Sequence, residues 1–240
     1  YINGVHPTEL TDNLYDEITS ELFKFYSEQN ELIKKDIKSE IELVIKKINE
    51  QIAKYDKRLT ENFRYTFSNL ITRIENSDYC IESQDHVIYV DIVHGDMNYL
   101  ENIIRSADDR TLYFLDWELS RSANILYDFF YFLIYEIAVT KKFHGSHLAK
   151  VFGCKKKKKL LQEKIKKYLD ISIKESQFVE YFNLTILDML LHKILIIKKK
   201  RAASFFTASM IKNRFKNFEV FFYIANQFLE LIERDHDIVY

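Results

Sequence analysis

The chain contains the segment Val93-His94-Gly95-Asp96-Met97-Asn98-Tyr99-Leu100-Glu101-Asn102-Ile103-Ile104, which is followed, after a polar stretch, by Leu112-Tyr113-Phe114-Leu115-Asp116-Trp117-Glu118. In both segments, apolar β-forming residues flank an acidic residue. Upstream, residues 87–92 alternate between apolar positions and Tyr89 or Asp91. This alternation predicts a strand that runs into the turn His94-Gly95-Asp96.

A second pair of strands is predicted directly after this turn. Residues 102–105 form a second short strand around Ile103 and Ile104, residues 106–110 suit a polar hairpin turn, and residues 111–115 form the returning strand. Asp116 stands at the end of that strand. We therefore expect Asp96, Asn102 and Asp116 to meet at one edge of a small β-structure.

These three side chains share one kind of chemistry. Two carboxylates and an amide offer the hard oxygen ligands that Mg²⁺ prefers. In phosphoryl transfer the protein mainly positions groups and neutralises charge, with an Asp orienting the attacking hydroxyl and an Asn and a second Asp holding metal. The three side chains therefore form a usable set for phosphoryl transfer.

The pattern His-Gly-Asp, a following Asn before paired Ile, and then Leu-Asp-Trp-Glu resembles the catalytic and metal-binding segments of the aminoglycoside phosphotransferase and choline kinase-like family, which has a protein kinase-like fold. The resemblance implies that Asp96 is the catalytic Asp and His94 the structural His of the catalytic loop. It also implies that Asn102 and Asp116 bind magnesium, with ATP as the phosphoryl donor. Asp128 matches an Asp that braces the loop.

The spacing departs from the family at one point. Relatives have four residues between the catalytic Asp and the Asn, whereas five separate Asp96 from Asn102. Either the loop bulges by one residue, or Asn98 or Glu101 takes part instead.

Composition indicates a mainly α-helical chain. Its 240 residues are 47% hydrophobic, with four Gly and one Pro, and its formal net charge of −1 gives no overall basic field for nucleic acid. The two cysteines, Cys80 and Cys154, are expected to be free thiols in a reducing, cytoplasmic setting. The four glycines are too far apart to form a phosphate-binding loop.

The resemblance is confined to the large, C-terminal lobe of the kinase-like fold. Residues 1–6 resemble the hinge between the two lobes, and residues 7–240 are expected to form the helical lobe, with catalytic hairpins at about 78–118. We expect the N-terminal ATP-binding lobe to be absent from this chain and to act in cis in the natural protein.

Apolar spacing predicts the helices. The first begins at Pro7 and Thr8, a second carries the stripe from Ile33 to Ile52, and residues 141–160 are irregular. The other predicted helices cover residues 63–74, 127–139, 178–197 and 215–232. A further hairpin is predicted for residues 78–91, and a polar loop for residues 117–124.

Several features have two interpretations. Glu118 and Asp188 are candidate acids of the acceptor pocket, although Asp188 also suits a structural ion pair with His192. The run Lys155–Lys159 suits a solvated helix face or contact with an anionic surface. His144-Gly145-Ser146-His147 is interpreted as a surface turn rather than a metal site.

The predicted function is phosphorylation of a hydroxyl group on a small molecule or saccharide. Two alternatives belong to other classes. One is a catalytically inactive, pseudokinase-like binding or scaffolding module. The other is a helical interaction protein that binds partners through the stripe from Ile33 to Ile52, although packing inside the lobe also explains that stripe.

Overall fold

The computed structural model describes residues 3–29, 31–76, 86–202 and 208–237. These residues form a mainly helical structure with two small antiparallel sheets, as the composition predicts. The helices are α1 (Asp12–Ser27), α2 (Ile37–Ile52), α3 (Lys57–Glu75), α4 (Tyr127–Thr140), α5 (His147–Phe152), α6 (Lys155–Leu169), α7 (Glu175–Ala202), α8 (Ala208–Lys216) and α9 (Glu219–Asp237). The strands are β1 (Gly4–Val5), β2 (Leu32–Asp36), β3 (His86–Val93), β4 (Ile103–Ser106), β5 (Leu112–Phe114) and β6 (Arg121–Asn124), and a 3₁₀ turn spans Trp117–Leu119.

One sheet has the strand order β1-β4-β5. Strands β4 and β5 form the predicted hairpin, with Ile104 opposite Tyr113. Strand β1 lies within the proposed hinge segment and pairs with β4, so that Gly4 is opposite Ser106. The chain start is therefore attached to the hairpin that precedes Asp116.

The other sheet has the order β2-β3-β6. Its central strand β3 is predicted from the alternation, but its partners are not. Residues 77–85, which contain Cys80 and most of the first arm of the expected 78–91 hairpin, lie outside the described residues. Instead, β2 and β6 flank β3, and Lys34 lies opposite Ile88 while Ala123 lies opposite Val90.

The core is centred on α4, whose apolar side chains point in all directions and are buried. Phe130 contacts both Phe182 of α7 and Phe228 of α9, and the last two rings stack with their centroids 3.8 Å apart. Such aromatic packing adds to the stabilisation that burial gives. Helix α4 is thus fixed from several sides, which matters because it carries Asp128 and Tyr131.

The apolar stripe of the second predicted helix is buried within this chain. Ile37, Ile48 and Ile52 are at most 1% exposed, and α2 packs against α7. The partner-surface interpretation of the stripe is therefore wrong. Ile33 also leaves the helix, since Asp36 caps α2 by accepting a hydrogen bond from Ser39 N, and the residues before it pair with β3.

Other boundaries also differ from the prediction, and the helix expected over residues 215–232 is divided between α8 and α9. Helix α1 begins after Thr11, whose hydroxyl accepts from Leu14 N, rather than at Pro7 and Thr8. Residues 141–160 are largely helical in α5 and α6, and residues 117–124 contain a 3₁₀ turn and β6 rather than an open loop. In the part of the chain that the structure describes, no helix is long and apolar enough to cross a membrane.

Candidate active-site loop

The loop at residues 94–102 begins where β3 changes register. Between Val90 and Val93 the pairing with β6 shifts, and such bulges bend a strand and reorient the residues that follow. Gly95 then adopts φ +85°, and a Cβ atom there would lie 2.2 Å from the carbonyl oxygen of Leu119. Glycine is therefore required on two counts, conformation and space.

Asp128 holds the start of this loop from α4. Its buried carboxylate accepts hydrogen bonds from His94 N (2.6 Å), Gly95 N (2.9 Å) and the hydroxyl of Tyr26 (2.6 Å). Burial raises the pKa of the Asp128 carboxyl, and the three donors oppose that rise. The hydrogen bonds that the sequence predicts between Asp128 and the loop are present, and they connect β3, α4 and α1.

His94 joins the loop to the end of β5. Its Nε2 lies 2.5 Å from the carbonyl oxygen of Leu115, and its Nδ1 lies 3.3 Å from Asp96 N. A carbonyl only accepts and a backbone N–H only donates, so these bonds assign the proton to Nε2. The fully buried ring therefore positions both Leu115 and Asp96.

Residues 98–102 form a tight turn before β4. Asn102 N donates to the carbonyl of Asn98 (2.7 Å), and the Asn102 amide nitrogen donates to the carbonyl of Asp96 (2.7 Å). The Asn98 side chain accepts from Leu100 N and donates to Glu101. Asn98 and Glu101 are thus bonded to each other within the turn, whereas Asn102 returns to Asp96.

Asp116 directly follows Leu115, the residue through which the end of β5 contacts the 94–102 loop. Leu115 N donates to the carbonyl of Asn102 at 2.8 Å, which places Asp116 next to the 94–102 loop. Asp116 is solvent-exposed and adopts φ 60° and ψ 63°. A non-glycine residue in this region costs about 1 kcal/mol or more, and such strain is concentrated at functional sites.

Asp96 itself is half-buried and receives a hydrogen bond that the sequence did not indicate. The hydroxyl of Tyr131, one turn after Asp128 on α4, donates to Asp96 Oδ1. Burial raises the pKa of Tyr131, and the negative charge of Asp96 adds to the rise. The tyrosine therefore remains a donor that fixes the carboxylate.

Arg121 is the other residue that sequence reasoning missed. Its guanidinium donates to Asp188 Oδ2 at 2.9 Å, and its Nη1 lies 3.4 Å from His192 Nδ1. The expected direct pairing of Asp188 with His192 is thus replaced by a bridge through Arg121. His192 Nε2 is buried and lacks a hydrogen-bond partner within the described residues. A strand residue opposite a helix gives no local signal of such a bridge.

The remaining sequence candidates lie away from the loop or on its rim. Glu118 is exposed in the 3₁₀ turn. Lys158, in the middle of the lysine run, is buried and paired with Glu175, so the run is not a uniformly solvated face.

The His144–His147 segment is also not a simple surface turn. His144 is exposed, but His147 is buried between the carboxylates of Glu136 and Asp12, each 2.9 Å away. Across the described ranges, no group of three or more His, Cys, Asp or Glu side chains is arranged to hold a metal ion. A metal site at the loop would therefore require the amide of Asn102 beside the carboxylates.

Comparison with known proteins gives distant structural similarity to solved structures. No protein-family model and no curated protein matches the chain. Among solved structures, the chain is similar to a choline/ethanolamine kinase family protein from Mesorhizobium loti, with 11% sequence identity and a TM-score of 0.44. The match covers 92% of this chain and 66% of that chain, so this chain spans slightly less than two thirds of that protein. A similarity of this degree transfers neither an activity nor a site residue.

Proposed function

We propose that the chain contains the catalytic and acceptor-binding part of an ATP-dependent phosphotransferase that acts on a hydroxyl of a small molecule or saccharide. The observation that supports this is the loop itself. Asn102 bonds through its side chain to the Asp96 backbone and through its own backbone to Leu115, the residue before Asp116. These bonds bring the backbones of the two acids and the amide together, with Asp116 exposed, Asp96 half-buried and Asn102 buried.

The donor set fits a magnesium ion. The nitrogen of the Asn102 amide is used within the loop, and its oxygen is the atom left for a metal. Asp116 is exposed and adds a carboxylate. Asn98, in contrast, already uses both ends of its amide inside the turn. We assign the metal to Asn102 and Asp116, where Mg²⁺ would neutralise charge on the phosphate oxygens.

The protein supplies the base and its orientation. Because Tyr131 donates to Oδ1 of Asp96, Oδ2 is the oxygen that accepts the proton of the acceptor hydroxyl. The hydroxyl oxygen then forms a bond to the γ-phosphorus of ATP, and the bond from that phosphorus to the bridging oxygen breaks, releasing ADP. His94 and Asp128 act through the backbone, by holding Asp96 in place.

The test is Asp96→Asn in the longest product of the gene, with Asp91→Asn as the matched control. Asp91 is an exposed residue of β3. Acceptor-dependent release of ADP should fall about 10²–10⁴-fold for the Asp96 variant and remain unchanged for the control. Asparagine keeps an acceptor oxygen for Tyr131, so the thermal midpoint should change little. Equal rates for Asp96→Asn and the parent would remove Asp96 from the proposed role.

The inactive binding module remains the second candidate, and the Tyr131 contact favours it. The Tyr131 hydroxyl occupies Oδ1, one of the two Asp96 oxygens that could accept a proton from a substrate. Mg²⁺-dependent protection by ATP in thermal unfolding, without ADP release with any acceptor, would identify this alternative.

A further inference from the structure

One cavity beside α7 is lined by two cationic side chains. Arg121 lies between the loop and α7. Its Nη1 is 3.4 Å from His192 Nδ1, and it is also 3.4 Å from the position that a Cβ atom at Gly95 would occupy. The next residue of α7 is Lys193. Segment 188–193 of α7 therefore lies beside the residue that precedes Asp96.

Lys193 and Arg214 line a cavity of about 190 Å³ between α7 and the α8–α9 corner. Its other walls are largely apolar, and they include Ile196, Ile197, Phe218 and Phe221. None of the described residues that line it is acidic. A cavity of this size holds the end of a small molecule rather than the whole of one.

Two cationic side chains, Lys193 and Arg214, line this cavity. Within the described ranges, neither Lys193 nor Arg214 forms a hydrogen bond or an ion pair, and the Lys193 ammonium lies 5.2 Å over the ring of Phe221. Burial lowers the pKa of Lys193, the charge of Asp96 raises it, and Arg214 lowers it again. Lys193 thus lies within the field of Asp96 and also repels Arg214.

Two neighbouring cations in a partly apolar cavity bind an anion and repel a cation. The Asp188 carboxylate is already bonded to Arg121, so it is not free to bind a cationic ligand. Arg214 is exposed, so a ligand has access from the solvent.

We infer that the acceptor carries a phosphate or carboxylate group, which Lys193 and Arg214 bind in this cavity while its hydroxyl faces Asp96. That the bound anion is the phosphoryl acceptor rests on the proposed phosphotransferase function. Anion binding itself can be measured independently of that function. It excludes cationic amino alcohols and aminoglycosides as preferred substrates.

The test is titration calorimetry with four small probes on the parent protein. Glycerol 3-phosphate and glycerate are the anionic probes, glycerol is neutral, and ethanolamine is cationic. At least one anionic probe should bind ten or more times tighter than glycerol and ethanolamine, and inorganic phosphate should compete with it. Ethanolamine binding as tightly as both anions would overturn the inference.

Three variants locate the site. Lys193→Gln and Arg214→Gln should each weaken the anionic probe about tenfold, because each removes a charged contact. Lys193→Arg keeps the charge and should retain most of the binding. Lys156→Gln, an exposed lysine of α6, is the control and should bind as the parent does. Parent-like binding by both Gln variants would also overturn the inference.

The inference and the proposed function can fail separately. Charge-dependent anion binding with no effect of Asp96→Asn on ADP release would retain the anion site and refute the kinase proposal. Loss of ADP release in Asp96→Asn, together with a preference for ethanolamine, would do the reverse. In an active enzyme, Lys193→Gln should raise the KM for the acceptor and leave the KM for ATP unchanged.

Discussion

Replacing Asp128 should destabilise the protein more than any other single acid near the candidate loop. The Asp128 carboxylate is fully buried and accepts from His94 N, Gly95 N and the Tyr26 hydroxyl. Alanine at this position leaves three buried donors without an acceptor. Two of them belong to the backbone of the turn itself, so they cannot move to another partner without opening the loop.

The size of the effect follows from these three contacts. A buried donor that loses its acceptor costs about 1–3 kcal/mol, and removal of one member of a buried charged network costs about 3–5 kcal/mol. We expect Asp128→Ala to lower the free energy of unfolding by about 4 kcal/mol. For a chain of this length that corresponds to a fall in the thermal midpoint of about 8–16 °C.

The assay is urea unfolding followed by circular dichroism, with two comparison variants. Tyr26→Phe removes one donor and leaves the carboxylate two backbone N–H groups, so it should cost about 1 kcal/mol. Asp91→Ala removes an exposed acid of β3 and should change stability by less than about 0.5 kcal/mol. If Asp128→Ala fails to fold, Asp128→Asn, which keeps one acceptor oxygen, should give an intermediate loss.

The reasoning would be refuted by a particular order of stabilities. Asp128→Ala and Asp91→Ala would have to be equally stable, or Tyr26→Phe would have to lose as much as Asp128→Ala. The first result would mean that water satisfies the three donors, and the second that the hydroxyl, rather than the carboxylate, organises the site.

Two other predictions concern Gly95 and His192, near the candidate loop, and a third concerns the buried His147. Gly95→Ala should cost more than about 2 kcal/mol in urea unfolding, since its Cβ would meet the Leu119 carbonyl at 2.2 Å; parent-like stability would contradict this. Burial, and to a smaller extent the charge of Arg121, lower the pKa of His192 from 6.5. As the pH falls, the imidazole of His192 is therefore protonated in the unfolded chain before it is protonated in the folded protein. Stability should therefore decline as the pH falls below about 6.5, and His192→Gln should flatten the decline; an unchanged pH profile would refute this. His147→Gln should lower the free energy of unfolding by about 3 kcal/mol, because it breaks the contacts of His147 with Asp12 and Glu136. Equal thermal midpoints for this variant and the exposed control His144→Gln would refute a stabilising role for these contacts.

Local patterns were sufficient for most elements. Alternation predicted β3, and the polar residues 106–110 between two apolar runs predicted the β4–β5 hairpin. Spacing of three and four predicted α1 and α3, and long apolar stretches predicted α4 and α7, although helix ends shifted to capping residues such as Thr11. These features are local because each depends on residues within a few turns of one another.

Other elements were decided by partners that are distant in sequence. Ile33 has the spacing of the α2 stripe, yet it lies in β2, where it is opposite Tyr89 of β3. The 117–124 segment is polar and looked like a loop, but the other edge of β3 makes its last residues a strand. Backbone groups must find hydrogen-bond partners when buried, and that requirement overrides a weak local preference.

The sequence alone determined which residues form the candidate loop. His94, Gly95, Asp96 and Asn102 stand close together in the sequence, and Asp116 follows the strand after the next turn. Only the tertiary structure decided how that loop is held and what surrounds it. The partner of Asp128 on α1 is 102 positions away, and Arg121 meets Asp188 at a separation of 67. The spacing of residues along the sequence does not predict such pairs, because packing of the helices against β3 brings them together. Once they are buried, their polar groups must form hydrogen bonds.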